Sequence, residues 1–131
     1  NVVKKKILLI DDDQDIVRGT KMRLSGAGYE IEAAYDGVAG VAAVANNPPD
    51  VIVLDVRMPR KDGMEVLCEL KLDDKSRSIP VIMVSASVGD QQSALEGGAS
   101  FFLKKPYQGT NLVATIGVAL EAMHSETTEK S

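Results

Sequence analysis

The sequence predicts an α/β fold, a doubly wound five-stranded parallel sheet of the (βα)5 kind with helices on both faces. Three observations carry that expectation. Four short apolar runs lack polar alternation, as strands buried on both faces do. Stretches with helical spacing separate them. Strand and helix patterns alternate five times along the chain, and right-handed crossovers turn that order into a parallel sheet.

The first run, Ile7-Leu8-Leu9-Ile10, follows Lys4-Lys5-Lys6, which reads as a solvated approach to the strand. From Asp15 to Ser25, Ile16, Thr20 and Leu24 share one helical face, and Gly26 and Gly28 supply the stop. Tyr29 to Ala34 alternates Glu30 and Glu32 with Ile31 and Ala33, which suits an edge strand with one wetter face. Asp36 to Asn46 places Val38, Val41, Ala42 and Ala45 on one stripe before Asn46-Asn47-Pro48-Pro49 breaks the helix. Val51-Ile52-Val53-Leu54 is the next buried strand. In the helix expected over Met64 to Leu72, Met64, Leu67 and Leu70 recur at helical intervals, and Cys68 beside Leu67 reads as a small core filler. Val81-Ile82-Met83-Val84 is the fourth strand, and Asp90 to Glu96 is a short, weakly amphipathic helix ending in a Gly97-Gly98 turn. Phe101-Phe102-Leu103 is the fifth strand, and Leu112, Ile116, Ala119 and Met123 mark the last helix. His124 near its end reads as solvated or capping. The expected domain covers 4–124, with the polar segment 125–131 as a frayed end or the start of a linker.

Composition narrows the function. A chain of 131 residues with 44% apolar and 26% charged residues fits one globular domain with a sizeable core. Its apolar runs fall far short of the ~20 residues of a membrane span, so no membrane association is expected. Asp and Glu outnumber Lys and Arg by 19 to 15, which argues against nucleic-acid binding by this chain alone. The single Cys68 cannot form an internal disulfide, which fits a cytoplasmic location.

In an open parallel sheet, ligands bind beyond the carboxyl ends of the strands, where the strand order reverses. Asp11 and Asp12 follow the first apolar run, Asp55 the third strand and Ser85 the fourth, while Lys105 lies two residues past the fifth run. Any one of these has an ordinary explanation, since Asp and Ser cap helices and Lys solvates loops. Together they place carboxylates, a hydroxyl and an ammonium on one patch, which capping and solvation do not explain. Three close carboxylates repel one another unless a cation sits among them. The donors are oxygens, so a hard ion such as Mg²⁺ is favoured over Zn²⁺. A carboxylate beside such an ion, an ammonium and a hydroxyl is arranged to accept a phosphoryl group, whose transfer is mainly positioning and charge neutralisation.

Ile7-Leu8-Leu9-Ile10-Asp11-Asp12-Asp13, Val51-Ile52-Val53-Leu54-Asp55-Val56-Arg57-Met58-Pro59 with Asp62-Gly63, Pro80-Val81-Ile82-Met83-Val84-Ser85-Ala86, and Gly98-Ala99 through Lys105-Pro106 occur in that order. In these stretches the chain resembles, over nearly its whole length, a response-regulator receiver domain of two-component signalling and chemotaxis. The resemblance implies a flavodoxin-like sheet in the order 2-1-3-4-5. It implies Asp55 as phosphoacceptor, Asp12 as a direct Mg²⁺ ligand, Asp11 as a ligand through water, and the Arg57 backbone carbonyl as a further ligand. Ser85 takes the Ser/Thr switch position, Lys105 the lysine position with a cis bond to Pro106, and Phe102 the switch-aromatic position. Ser85 replaces the frequent Thr and Phe102 the frequent Tyr, so no tyrosine hydroxyl takes part in output. Arg57 and Ser87 occupy positions that tune phosphoryl lifetime. The implied partners are a histidine kinase or histidine phosphotransfer protein, and an output domain or target read by the surface of the fourth helix, fifth strand and fifth helix. The protein is then a monomer or a phosphorylation-dependent dimer, and a switch rather than a turnover enzyme.

Two other readings compete. An aspartate-nucleophile phosphohydrolase carries an Asp-x-Asp pair after its first strand, which Asp11-Asp12-Asp13 nominally offers. The Gly-Thr or Gly-Val that normally follows is absent, and no cap domain fits the length. A flavin-binding domain of similar topology wants a hydroxyl- and Gly-rich phosphate loop there, where three aspartates would repel the phosphate.

Overall fold

Five parallel strands pair in the order β2-β1-β3-β4-β5 in the computed structural model, which describes residues 3–130 and, from 124 onward, the backbone only. Along the chain these are β1 (Lys6–Ile10), α1 (Gln14–Gly26), β2 (Glu30–Ala34), α2 (Gly37–Asn46), β3 (Val51–Asp55) and α3 (Gly63–Leu72). Then come β4 (Val81–Ser85), a 3-10 turn (Val88–Asp90), α4 (Gln91–Glu96), β5 (Phe101–Lys104) and α5 (Gly109–Lys130). The predicted alternation and strand order are therefore the observed ones. The expectations for His124 and for the side chains of 125–131 lie outside the described residues, although the backbone of α5 continues to Lys130.

Because successive strand residues face opposite sides, the inner strands feed two cores. Leu8, Ile10, Ile52, Leu54, Val81 and Met83 pack with residues of α2, α3 and α4. Ile7, Leu9, Val51, Val53, Ile82 and Val84 pack on the other face against Val17 and Leu24 of α1 and Leu112, Ile116 and Ala119 of α5. Both sides of β1, β3 and β4 are thus covered, which is why those strands read as unbroken apolar runs.

The starts of α1, α2 and α3 are fixed by acidic caps. Asp13 accepts from the amides of Asp15 and Ile16, and Asp36 from that of Ala39. Asp62 and Glu65 form a reciprocal capping box at α3. Next to that cap, a Cβ on Gly63 would lie 2.1 Å from the Asp55 carbonyl oxygen, so only glycine lets α3 start against the end of β3.

Several side chains depart from the sequence reading, each for a packing reason. In α1 the core residues are Val17 and Leu24, with Ile16 and Thr20 only half-buried at the rim. The α2 stripe is out of phase. Of the predicted stripe only Val41 packs against the core, half-buried; Val38, Ala42 and Ala45 are exposed, whereas Gly37, Gly40 and Val44 are buried. A Cβ on Gly40 would come within 2.7 Å of Ile10 Cδ1, so the helix approaches the sheet through its glycines, which an apolar-stripe reading passes over. Cys68 is exposed, because α3 turns Val66, Leu67 and Leu70 inward and leaves position 68 outside. Phe101-Phe102-Leu103 is half-buried rather than buried on both faces, since β5 is an edge strand. Lys6 is buried, with Nζ 3.0 Å from the Asn47 carbonyl and paired with Glu32, whereas Lys4 and Lys5 are exposed. Among the described residues no helix is long and apolar enough to cross a membrane.

Candidate functional site

The sheet order reverses between β1 and β3, so their carboxyl ends form a crevice flanked by two diverging chain paths. Asp11 follows β1 directly, Asp55 ends β3, Ser85 ends β4 and Lys105 follows β5. Backbone bonds carry the pairing just past the strand ends: the Asp11 amide donates to the Ala34 carbonyl, Val56 to Val84 and Lys105 to Ser85. The loops bearing these side chains therefore start from fixed positions. The Lys105-Pro106 bond is cis.

One carboxylate oxygen from each of Asp11, Asp12 and Asp55 lies within 4.8 Å of the others. Asp11 and Asp55 are 6% and 4% exposed, whereas Asp12 faces solvent. Lys105 Nζ sits 2.8 Å from Asp11 Oδ2 and 3.2 Å from Asp55 Oδ1, bridging the two buried acids. The other oxygen of Asp11 accepts from the Asp13 amide at 3.0 Å, so both Asp11 oxygens are engaged while Asp12 stays open. Burial and the neighbouring Asp11 charge push the Asp55 carboxyl up to about 6, against the downward pull of Lys105 and of the nearby Arg57 backbone. Burial pulls Lys105 down, but hydrogen bonds and charge from Asp11 and Asp55 together outweigh it and hold the ammonium above its usual value.

This cluster suits a cation. Its donors are hard carboxylate oxygens, one of them reachable from solvent, and one ammonium offsets only part of three negative charges. Among the described residues it is the one group of this kind.

Ser85 is not engaged with the cluster. Its side chain is fully buried, and its hydroxyl donates to Asp90 Oδ2 at 2.6 Å while accepting from the Ser87 amide at 3.1 Å. Asp90 in turn receives two bonds from the Arg57 guanidinium, 3.0 Å from Nε and 2.7 Å from the terminal nitrogen. Arg57 and Ser85 together hold the Asp90 carboxyl below its ordinary value. Asp90 is the residue that sequence reasoning passed over, because an Asp at the start of a short helix looks like a cap. Phe102 is half-buried and packs against the core on the α3–α4 side, paired in register with Met83.

The family model of the response regulator receiver domain matches residues 7–117. The transcriptional regulatory protein PrrA of Mycobacterium tuberculosis is 34% identical over 130 residues, covering 99% of this chain and 56% of that protein. Response regulator PleD of Caulobacter vibrioides is 41% identical over 113 residues, covering 85% of this chain and 25% of PleD. This chain spans about half the length of several of the curated relatives it matches. Among solved structures, chemotaxis protein CheY4 of Vibrio cholerae superposes with a TM-score of 0.84 at 30% identity, covering 90% of this chain and all of that one. NtrX of Brucella abortus gives a TM-score of 0.90 at 29% identity, covering 98% of this chain and 29% of NtrX.

Proposed function

The chain belongs to the response regulator receiver family, and on that premise we propose that it accepts a phosphoryl group on Asp55 from a histidine kinase or histidine phosphotransfer protein. One observation carries this reading. Asp55 is a nearly buried carboxylate at the end of a central strand, with an ammonium 3.2 Å away and two further carboxylates within 4.8 Å. In the transfer an Asp55 carboxylate oxygen forms a bond to phosphorus as the phosphorus–nitrogen bond of the donor breaks. The electron pair leaves with the imidazole nitrogen, which is then protonated from solvent. Lys105, already paired with Asp55, turns its charge to a phosphoryl oxygen and keeps Asp11 as its second partner. Water attack on phosphorus later returns the free carboxylate. The activity is that of a switch with slow self-dephosphorylation.

Asp11, Asp12, Asp55 and the Arg57 carbonyl are the groups that would hold Mg²⁺. That ion, when bound, supplies charge neutralisation for the carboxylates and for the transferred oxygens. The free oxygens of Asp12 suit direct coordination, and the occupied ones of Asp11 suit coordination through water. The receiver unit is 4–124, with 125–131 a polar tail or the start of a linker, and output runs through the surface of α4, β5 and α5. Leu95 and Val118 contribute exposed apolar area to those elements, and Val88 to the turn before them. Incubation with Mg²⁺ and a small acyl-phosphate donor should add about 80 Da, one phosphoryl group, to the intact mass. The same adduct on Asp55→Asn overturns the assignment.

A further inference from the structure

We propose that Asp90 is a built-in competitor for the Ser85 hydroxyl, clamped by Arg57, and that it sets the free-energy gap between the resting and phosphorylated surfaces. The inference rests on the phosphoacceptor reading of Asp55. A serine hydroxyl has one proton to donate. In this structure that proton goes to Asp90 Oδ2 at 2.6 Å, so Ser85 cannot donate to a phosphoryl oxygen until the bond is broken. The carboxylate is well held. Two guanidinium nitrogens of Arg57 fork onto it, and its side chain is 15% exposed. Asp90 also occupies the N-cap position of α4 without capping it, so the side chain's bonds go to Ser85 and Arg57 instead.

The ring closes on the phosphorylation site. Arg57 lies two residues past Asp55 and its side chain donates to Asp90, so the loop that leaves the acceptor also carries the clamp. Its side chain is 68% exposed, which leaves the guanidinium free to exchange one anion for another. A phosphoryl group brings roughly −1.5 to −2 charges to Asp55 and competes for both donors that Asp90 now occupies. Release of Asp90 frees the 3-10 turn at Val88–Asp90 and the start of α4, which is where the proposed output surface begins. Asp90 is thus a positioning residue that acts through Ser85.

The test is binding of beryllium fluoride with Mg²⁺, a non-covalent phosphoryl mimic, followed by NMR titration. Asp90→Ala should bind the mimic roughly tenfold more tightly than the parent, the size expected when one charge-assisted hydrogen bond no longer has to be broken. Asp90→Asn, which keeps the shape with a weaker acceptor, should fall between them. In a Ser85→Ala background the Asp90→Ala gain should shrink, because the Ser85–Asp90 bond is no longer there to be broken. Equal or weaker binding by both Asp90 variants overturns the proposal, as does a gain that survives Ser85→Ala undiminished. A parent that binds no mimic, or binds it as well after Asp55→Asn, overturns the phosphoacceptor reading and this proposal with it.

Discussion

Replacing Asp55 by Asn should stabilise the metal-free protein at neutral pH, although it removes a side chain from the centre of the site. Burial and the Asp11 charge raise the Asp55 carboxyl from 3.8 to about 6 despite the pairing with Lys105. In the unfolded chain the carboxyl loses its proton near 3.8, and in the folded one only near 6. Between those values the unfolded state binds fewer protons, so the Asp55 contribution to stability is fully present below 3.8 and lost as pH rises through about 6. At about 1.4 kcal/mol per tenfold step in proton affinity, the ionised carboxylate costs at most roughly 3 kcal/mol. The crevice opens to solvent at Asp12, and screening there reduces the cost to about 1–2 kcal/mol. Asn carries no such charge. Urea unfolding in chelator at pH 8 should move to a midpoint higher by roughly 0.5–1.5 M in Asp55→Asn, and the gap should close as pH falls toward 4. Added Mg²⁺ should reverse the order by stabilising the parent far more than the variant. A variant no more stable than the parent at pH 8 in chelator, or a gap independent of pH, would refute the reasoning.

Asp12→Ala should weaken Mg²⁺ binding roughly tenfold or more by calorimetric titration, and Asp11→Ala less, since Asp11 is engaged by Lys105 and the Asp13 amide. Equal affinities for the Asp12 variant and the parent would mean the site is drawn wrongly. Ser85→Ala should still take up phosphoryl at Asp55 while shifting fewer resonances between residues 85 and 105 than the parent does. An unchanged shift pattern removes Ser85 from the switch. Gly63→Ala would place a Cβ 2.1 Å from the Asp55 carbonyl oxygen and should cost about 2–4 kcal/mol, read as a lower thermal midpoint. A variant as stable as the parent shows that α3 can shift away from β3.

How much of this protein can be read from its sequence depends on the range of the interaction concerned. Strand identity and order of motifs are local matters. Ile7–Ile10, Val51–Leu54 and Val81–Val84 had to be covered on both faces because nothing polar alternates within them, and that requirement alone calls for helices on both sides of a parallel sheet. The acids and Lys105 were equally legible, since topology sends the residue after every parallel strand to one edge of the sheet.

What depends on contacts between distant elements was not legible. The inward face of α2 is set by how closely a backbone can approach Ile10, so Gly37 and Gly40 face the sheet while Val38 is exposed. Burial on α3 follows the angle at which that helix meets β3, which leaves Cys68 outside. Whether β5 is wet on one side depends on its having no further neighbour beyond it. The sharpest case is the Ser85 hydroxyl. Sequence position puts it at the site edge, but a single O–H goes to whichever acceptor the folded chain brings nearest. Only the packing of the β3–α3 loop against the turn before α4 brings Arg57 and Asp90 together, 33 residues apart in the chain, and gives that proton to Asp90.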